Sequence, residues 1–135
     1  MRGQASGTFT VDAWEPESPY DQRDGVDLGH TVLRKTFSGG LAATSEVHMT
    51  SAVAAATGAA AYVAIERVEG TLDGRTGSFV LLHSATSYEA DSSERSLTVA
   101  VVAGTGAGEL SGLTGTLRIT KTGDEHQYDL EYTLP

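Results

Sequence analysis

Two stretches of this chain are alike and decide its fold: Leu72-Asp-Gly74-Arg-Thr-Gly77-Ser-Phe-Val-Leu81 and Leu110-Ser-Gly112-Leu-Thr-Gly115-Thr-Leu-Arg-Ile119. Both follow the pattern Leu-x-Gly-x-Thr-Gly-[Ser/Thr] and then alternate in apolar character. Two closely spaced glycines permit positive φ and a sharp corner, after which a hydroxyl or β-branched residue begins a new strand. The repeat therefore predicts two equivalent corners of a β-barrel. Chance similarity between two glycine-rich hairpins is the alternative.

The rest of the chain shows the same strand pattern on both sides of the repeat. Apolar positions recur at period two between glycine-rich turns, which is typical of successive hairpins. The Ala-rich segment 52–61 has helical propensity, but Gly58 interrupts it, and a wide hairpin is the preferred interpretation. The predicted strands are residues 8–15, 28–37, 42–53, 62–68, 78–88, 97–102, 116–122 and 126–134.

The length of the chain, 135 residues and 14.1 kDa, predicts one domain spanning residues 1–135. Eight antiparallel strands in so short a chain either pack as a sandwich or close on themselves. Closure removes the exposed edges that invite aggregation. We therefore expect an all-β fold, a closed antiparallel β-barrel of about eight strands and lipocalin-like shape, whose lumen holds side chains or one small ligand.

Charge and composition exclude several classes of function. The chain has 18 acidic against 9 basic residues, a formal net charge of -9, which disfavours nucleic acids and anionic membranes as partners. It has no cysteine and its four histidines have no metal-binding spacing, so we expect neither a metal nor a cofactor. No apolar run has the length of a secretory signal or a membrane span, which predicts a cytoplasmic protein.

Four segments carry a resemblance to a known family. They are Gly7-Thr-Phe9 leading to Trp14, Tyr62-x3-Glu66, Gly70-x-Leu-x-Gly-Arg75-x-Gly-Ser-Phe-Val-Leu-x-His83, and Val102-x-Gly104-x-Gly-x-Gly-Glu-Leu110-x-Gly112-Leu-x-Gly115. Together they resemble a bacterial family of unknown function whose members adopt the allene-oxide-cyclase-like barrel, over about residues 5–134. The resemblance implies a barrel and a relation to isomerases and cyclases of apolar substrates, and it transfers no catalytic residue.

Two titratable residues are the first catalytic candidates. Glu66 lies in an apolar strand, where burial raises the pKa of a carboxyl group unless it is paired. Alternation allows either Glu66 or Arg67 to point inward, and a carboxylate held by the backbone or by Arg75 is the structural alternative. His83 shares a face with apolar residues and can transfer protons near neutral pH, or serve as a hydrogen-bonded core histidine.

The last strand supplies two further catalytic candidates, Tyr128 and Tyr132, on the face that alternation buries. Their hydroxyls can donate to a carbonyl or developing enolate, or satisfy partners at the barrel rim. His48 shares a face with Glu46 and Thr50, which lies either in the lumen or in solvent. The candidate ligand-binding residues are Trp14, His48, Tyr62, Phe79 and Leu81.

These candidates support two main hypotheses. The first is a small-molecule isomerase or cyclase that holds an apolar, polyketide-like substrate by shape and supplies one acid or base group. The second is a non-catalytic barrel that binds a hydrophobic small molecule. A filled barrel whose outer face mediates assembly is a third possibility, and Ala and Val on the outer face favour a homodimer.

Overall fold

The computed structural model describes residues 1–88 and 96–135, which form a closed antiparallel β-barrel. Its strands are β1 (Arg2–Pro16), β2 (Asp27–Gly39), β3 (Leu41–Ala54), β4 (Ala59–Leu72), β5 (Arg75–Ser87), β6 (Ser96–Val101), β7 (Ala107–Gly108), β8 (Thr114–Thr122) and β9 (Glu125–Thr133). Helical structure in the described part is one 3-10 turn, Arg23–Gly25. No helix in these residues is long and apolar enough to cross a membrane. The expected all-β barrel is confirmed.

Eight of these strands make the wall, in the order β1-β2-β3-β4-β5-β6-β8-β9, and β9 pairs back with β1. The two-residue strand β7 adds to the edge of β5. The predicted strands are confirmed, and most extend by a few residues at one or both ends; β1 begins at Arg2 rather than at residue 8. The Ala-rich segment forms the predicted hairpin between β3 and β4. Its two arms pair residue by residue, from Ala52 with Ala61 to Ala54 with Ala59.

The two copies of the sequence repeat form equivalent corners, as expected. Gly74 and Gly112 have φ values of 86° and 84°, a left-handed conformation that side chains with a Cβ rarely adopt. Three residues farther on, Gly77 and Gly115 each lie against a backbone carbonyl, so a Cβ there would be 2.1 Å and 2.3 Å from the oxygen. Both positions require glycine for the close approach of two backbones.

The inward side chains form two apolar regions. The lower core, near the end of the barrel that holds these corners, contains Phe9, Phe37, Leu41, Val68, Leu72, Phe79, Leu81, Leu110, Leu113, Leu130 and their neighbours. The upper cluster consists of Leu33, Val47 and Ala64, with Met49 and Tyr62 packed against it. Between the two lies a layer of polar side chains.

A β-bulge in β1 orients the upper end of that strand. The register with β2 shifts between Val11 and Ala13, so that Trp14 lies opposite the inward-facing Leu33. The indole is nevertheless 58% exposed, because this part of β1 extends beyond the end of its pairing with β9 at Phe9. Trp14 and the upper cluster lie at the same end of the barrel, which we call the mouth.

Candidate functional site

Four buried polar side chains form one layer across strands β2 to β5. They are Lys35, Ser45, Glu66 and His83, all less than 9% exposed. In each of the first three strands the layer residue lies two positions from the upper cluster on one side and from the lower core on the other. In β5 the layer residue His83 lies two positions after Leu81 of the lower core. Because side chains alternate along a strand, all four residues point into the lumen. The barrel brings them together from four separate strands.

Glu66 is the centre of this polar layer, and its side chain is fully buried. One carboxylate oxygen, Oε1, lies 2.6 Å from His83 Nε2 and 3.3 Å from Lys35 Nζ. The other, Oε2, accepts a hydrogen bond of 2.6 Å from the Ser45 hydroxyl. The neighbouring Arg67 faces outward and is exposed, which answers the question of register that alternation left open. The titratable partners of the Glu66 carboxylate are Lys35 and His83, and not Arg75 as the structural alternative proposed.

These contacts decide the charge of Glu66. Burial raises the pKa of its carboxyl group, but the His83 hydrogen bond, the charge of Lys35 and the Ser45 hydroxyl outweigh burial, and the pKa lies below its usual value. The group is therefore an ionised acceptor at neutral pH. Because an ionised carboxylate can only accept, His83 Nε2 donates the short hydrogen bond to Oε1.

Lys35 is held by aromatic rings as well as by charge. Its ammonium lies 4.7 Å from the centre of the Phe9 ring and 6.0 Å from that of Phe37, in addition to the contact with Glu66. Sequence reasoning missed Lys35 and Ser45. The signal was present for the lysine, since it alternates with Leu33 and Phe37, but a lysine between apolar residues is ordinarily assigned to the surface.

The aromatic candidates divide between the two ends of the barrel. Tyr62 lies in the mouth, half-buried, where burial and then the charge of Glu66 raise the pKa of its phenol. Its cross-strand partner on β5 is Ala85, two residues from His83, so the phenol is diagonal to the imidazole. Trp14 lies at the rim of the same mouth, mostly exposed.

The hydroxyls of Tyr128 and Tyr132 are engaged at the other end. Tyr128 accepts a hydrogen bond from the Leu41 amide and donates to the Ser38 carbonyl, which ties the Gly39-Gly40 turn to β9. Tyr132 donates to the Asp73 carboxylate in the corner between β4 and β5. Burial raises the pKa of both phenols. The structure does not bring these two hydroxyls together with the polar layer.

The remaining candidates are placed as follows. Phe79 and Leu81 are buried in the lower core. His48 is on the outer wall, where its Nε2 lies 3.1 Å from the exposed Glu46 carboxylate. Among the residues that the structure describes, no group of three or more His, Asp or Glu side chains is arranged to hold a metal ion.

Comparisons with known proteins fit this barrel. The family model described as "Protein of unknown function (DUF3224)" matches residues 5–132. The chain belongs to the DUF3224 family. A crystal structure of a family member from Shewanella oneidensis MR-1, a protein of unknown function, is 40% identical to it and superposes with a TM-score of 0.88 over 100% of this chain and 99% of that one. No curated protein matches this sequence. The resemblance found in the sequence is thus confirmed at the level of family and fold.

Proposed function

We propose that this family member is a small-molecule isomerase or cyclase that binds an apolar substrate in the mouth and moves one proton through His83. The observation that carries the proposal is the 2.6 Å contact between His83 and the fully buried Glu66, in a polar layer directly below the upper cluster. An oriented acid-base group next to apolar surface is what such a reaction requires.

In this proposal His83 is the catalytic residue and Glu66 a positioning residue. An ionised Glu66 fixes the Nε2–H tautomer and stabilises the imidazolium that forms when Nδ1 takes a proton. The His83 side chain is buried on the lumen face, and Glu66 is the partner that holds its Nε2. Lys35 balances the negative charge of Glu66 both when the His83 ring is an imidazole and when it is an imidazolium.

Tyr62 completes the proposed site as a hydrogen-bond donor. The raised pKa keeps its phenol protonated over the physiological range, and its diagonal position relative to His83 puts donor and base on the same side of the lumen. A donor at a carbonyl oxygen and a base near the adjacent carbon are sufficient for enolisation. The upper cluster restricts the conformers of a flexible apolar substrate, which is the larger part of what a cyclase supplies.

The test is conversion of material from cells. Extract of a strain lacking this protein is incubated with the purified chain and separated by chromatography coupled to mass spectrometry. We expect a new peak of unchanged mass at a shifted retention time. His83→Gln should lower the rate at least about 100-fold. The matched control is His30→Gln, which removes an exposed histidine that lies 3.5 Å from the exposed Glu17. Equal rates in the two variants would rule out His83 as the proton-transferring group.

The alternative is a binding barrel without catalysis, and the apolar mouth favours it equally. In that case the same experiment shows an unchanged profile with one compound retained by the protein, and His83→Gln retains it as well. If the extract is neither converted nor depleted, both functions are wrong. The cytoplasmic location and the homodimer stay predictions, to be checked by cell fractionation and by light scattering of the purified chain.

A further inference from the structure

Among the described residues, the barrel wall has its weakest pairing between β6 and β8. Within the described residues one registered pair, Ala100 with Thr116, joins these two strands. By contrast, β6 pairs with β5 over six residues and β8 with β9 over nine. Within the described residues, the joint between β6 and β8, which we call the seam, is therefore weakly paired on the mouth side of Ala100 and Thr116.

A cleft of about 290 Å³ occupies this seam. Its lining includes Leu97 and Ile119, whose side chains belong to the lumen face, and Thr98 and Arg118, whose side chains belong to the outer face. The cleft therefore lies directly on the weakly paired joint between β6 and β8.

One lining residue of the cleft is a neighbour of the proposed catalytic group. Val99 lines the cleft and is the direct cross-strand partner of His83, with which it shares the lumen face. The path along β6 is thus apolar inside and hydroxylated outside. Asp129 and Glu131 flank the outer opening, and the whole chain carries a formal net charge of -9. These charges disfavour an anionic occupant, and the apolar side chains of Leu97, Val99 and Ile119 match the apolar substrate of the proposed function.

We propose that the β6–β8 seam is a lateral entrance through which an uncharged, elongated apolar substrate reaches His83. The inference rests on the proposed function for the identity of the site but concerns the route into it. In the part of the chain that the structure describes, the single joining pair at Ala100 and Thr116 leaves few hydrogen bonds to break when the two strands separate. Where two strands are fully paired, as β5 and β6 are, many more hydrogen bonds would have to break before the strands could separate.

The test is a cross-link across the seam. The chain has no cysteine, so two introduced thiols are unique. Continuing the antiparallel register from the Ala100–Thr116 pair places Thr98 opposite Arg118. Thr98→Cys/Arg118→Cys is joined by a short bifunctional thiol reagent. The matched control is Ser84→Cys/Thr98→Cys, which places the same cross-link in the paired wall between β5 and β6. Intact mass measures the extent of linkage.

The readout is the association rate of N-phenyl-1-naphthylamine, an uncharged apolar dye, followed by stopped-flow fluorescence. The seam cross-link should slow association at least tenfold relative to the control cross-link. Where linkage is incomplete, Thr98→Trp covers the outer opening and should slow association, while Thr50→Trp on the exposed wall of β3 should not. Equal rates in the paired proteins overturn the entrance and leave the proposed function intact. Absence of dye binding in every protein overturns both, and slowed entry without any product in the extract experiment overturns only catalysis.

Discussion

The buried ion pair between Lys35 and Glu66 gives the sharpest test of the polar layer. At 3.3 Å and an effective dielectric constant of about 20, two unit charges attract by about 5 kcal/mol. Removing one member leaves the other buried without its counterion, which ordinarily costs about 3–5 kcal/mol. That is a large fraction of the stability of a domain of this size, about 5–15 kcal/mol. Lys35→Met should therefore fold but be markedly less stable.

A double-mutant cycle separates the pair from the side chains themselves. Glu66→Gln removes the charge: its amide oxygen can replace Oε1 and accept from His83, and its NH2 group can replace Oε2 and donate to the Ser45 hydroxyl. We expect Lys35→Met to lower the free energy of unfolding by about 3 kcal/mol and Glu66→Gln by about 2–3 kcal/mol. The double variant, with no charge left unpaired, should lose only about 1–2 kcal/mol, a coupling of at least about 3 kcal/mol.

The assay is urea denaturation at pH 7, followed by circular dichroism, for the four proteins. Midpoints are compared at equal slopes, because a change in slope signals a change in the exposed surface and not in the pair. If the double variant loses as much as the two single variants together, within about 0.5 kcal/mol, the two charges are not coupled. The account of a balanced polar layer would then be wrong.

Three further predictions follow from single features. Gly115→Ala should lower the free energy of unfolding by about 2 kcal/mol or more, because its Cβ would be 2.3 Å from a backbone oxygen. The control Gly123→Ala, with φ of 62° and open space around it, should lower it by about 1 kcal/mol. Similar losses of both variants in urea denaturation would refute the close approach. Because the pKa of Glu66 is held below its usual value, the stabilisation is complete above pH 4.5 and is lost as the pH falls through the folded pKa, and Glu66→Gln should flatten this acid limb of the stability profile. Tyr128→Phe removes the partner of the buried Leu41 amide and should cost about 1–3 kcal/mol in thermal or urea unfolding, without changing conversion of substrate.

Much of the fold could be predicted because its determinants are local. The two glycine corners are written in the repeat, since a left-handed φ and the close approach of two backbones each demand glycine within a few residues of the turn. The inward faces also follow from alternation alone. Ala64, Glu66 and Val68 are buried while Val63 and Ile65 are about half exposed, as a period of two requires.

The candidate site was only partly predictable, because its contacts join distant positions. Lys35 and Glu66 are 31 residues apart, and Tyr128 reaches a turn 87 residues away. Alternation says that a side chain points into a barrel, but strand order and register decide which other side chains it meets. For the same reason, the sequence could not decide whether His48 faces the lumen or solvent. The pairing of β3 with its neighbours places it on the outer wall.

By itself, the sequence determined that this chain forms a closed all-β barrel, where its corners lie, and that Glu66 and His83 are candidates for proton chemistry. The tertiary structure alone decided that Lys35 and His83 keep Glu66 ionised, that the two tyrosines of β9 serve the opposite end, and that β6 and β8 share one registered pair among the described residues. The physical reason is that alternation and glycine conformation depend on neighbouring residues. Charge balance and gaps in a barrel depend on which strands the whole chain places side by side.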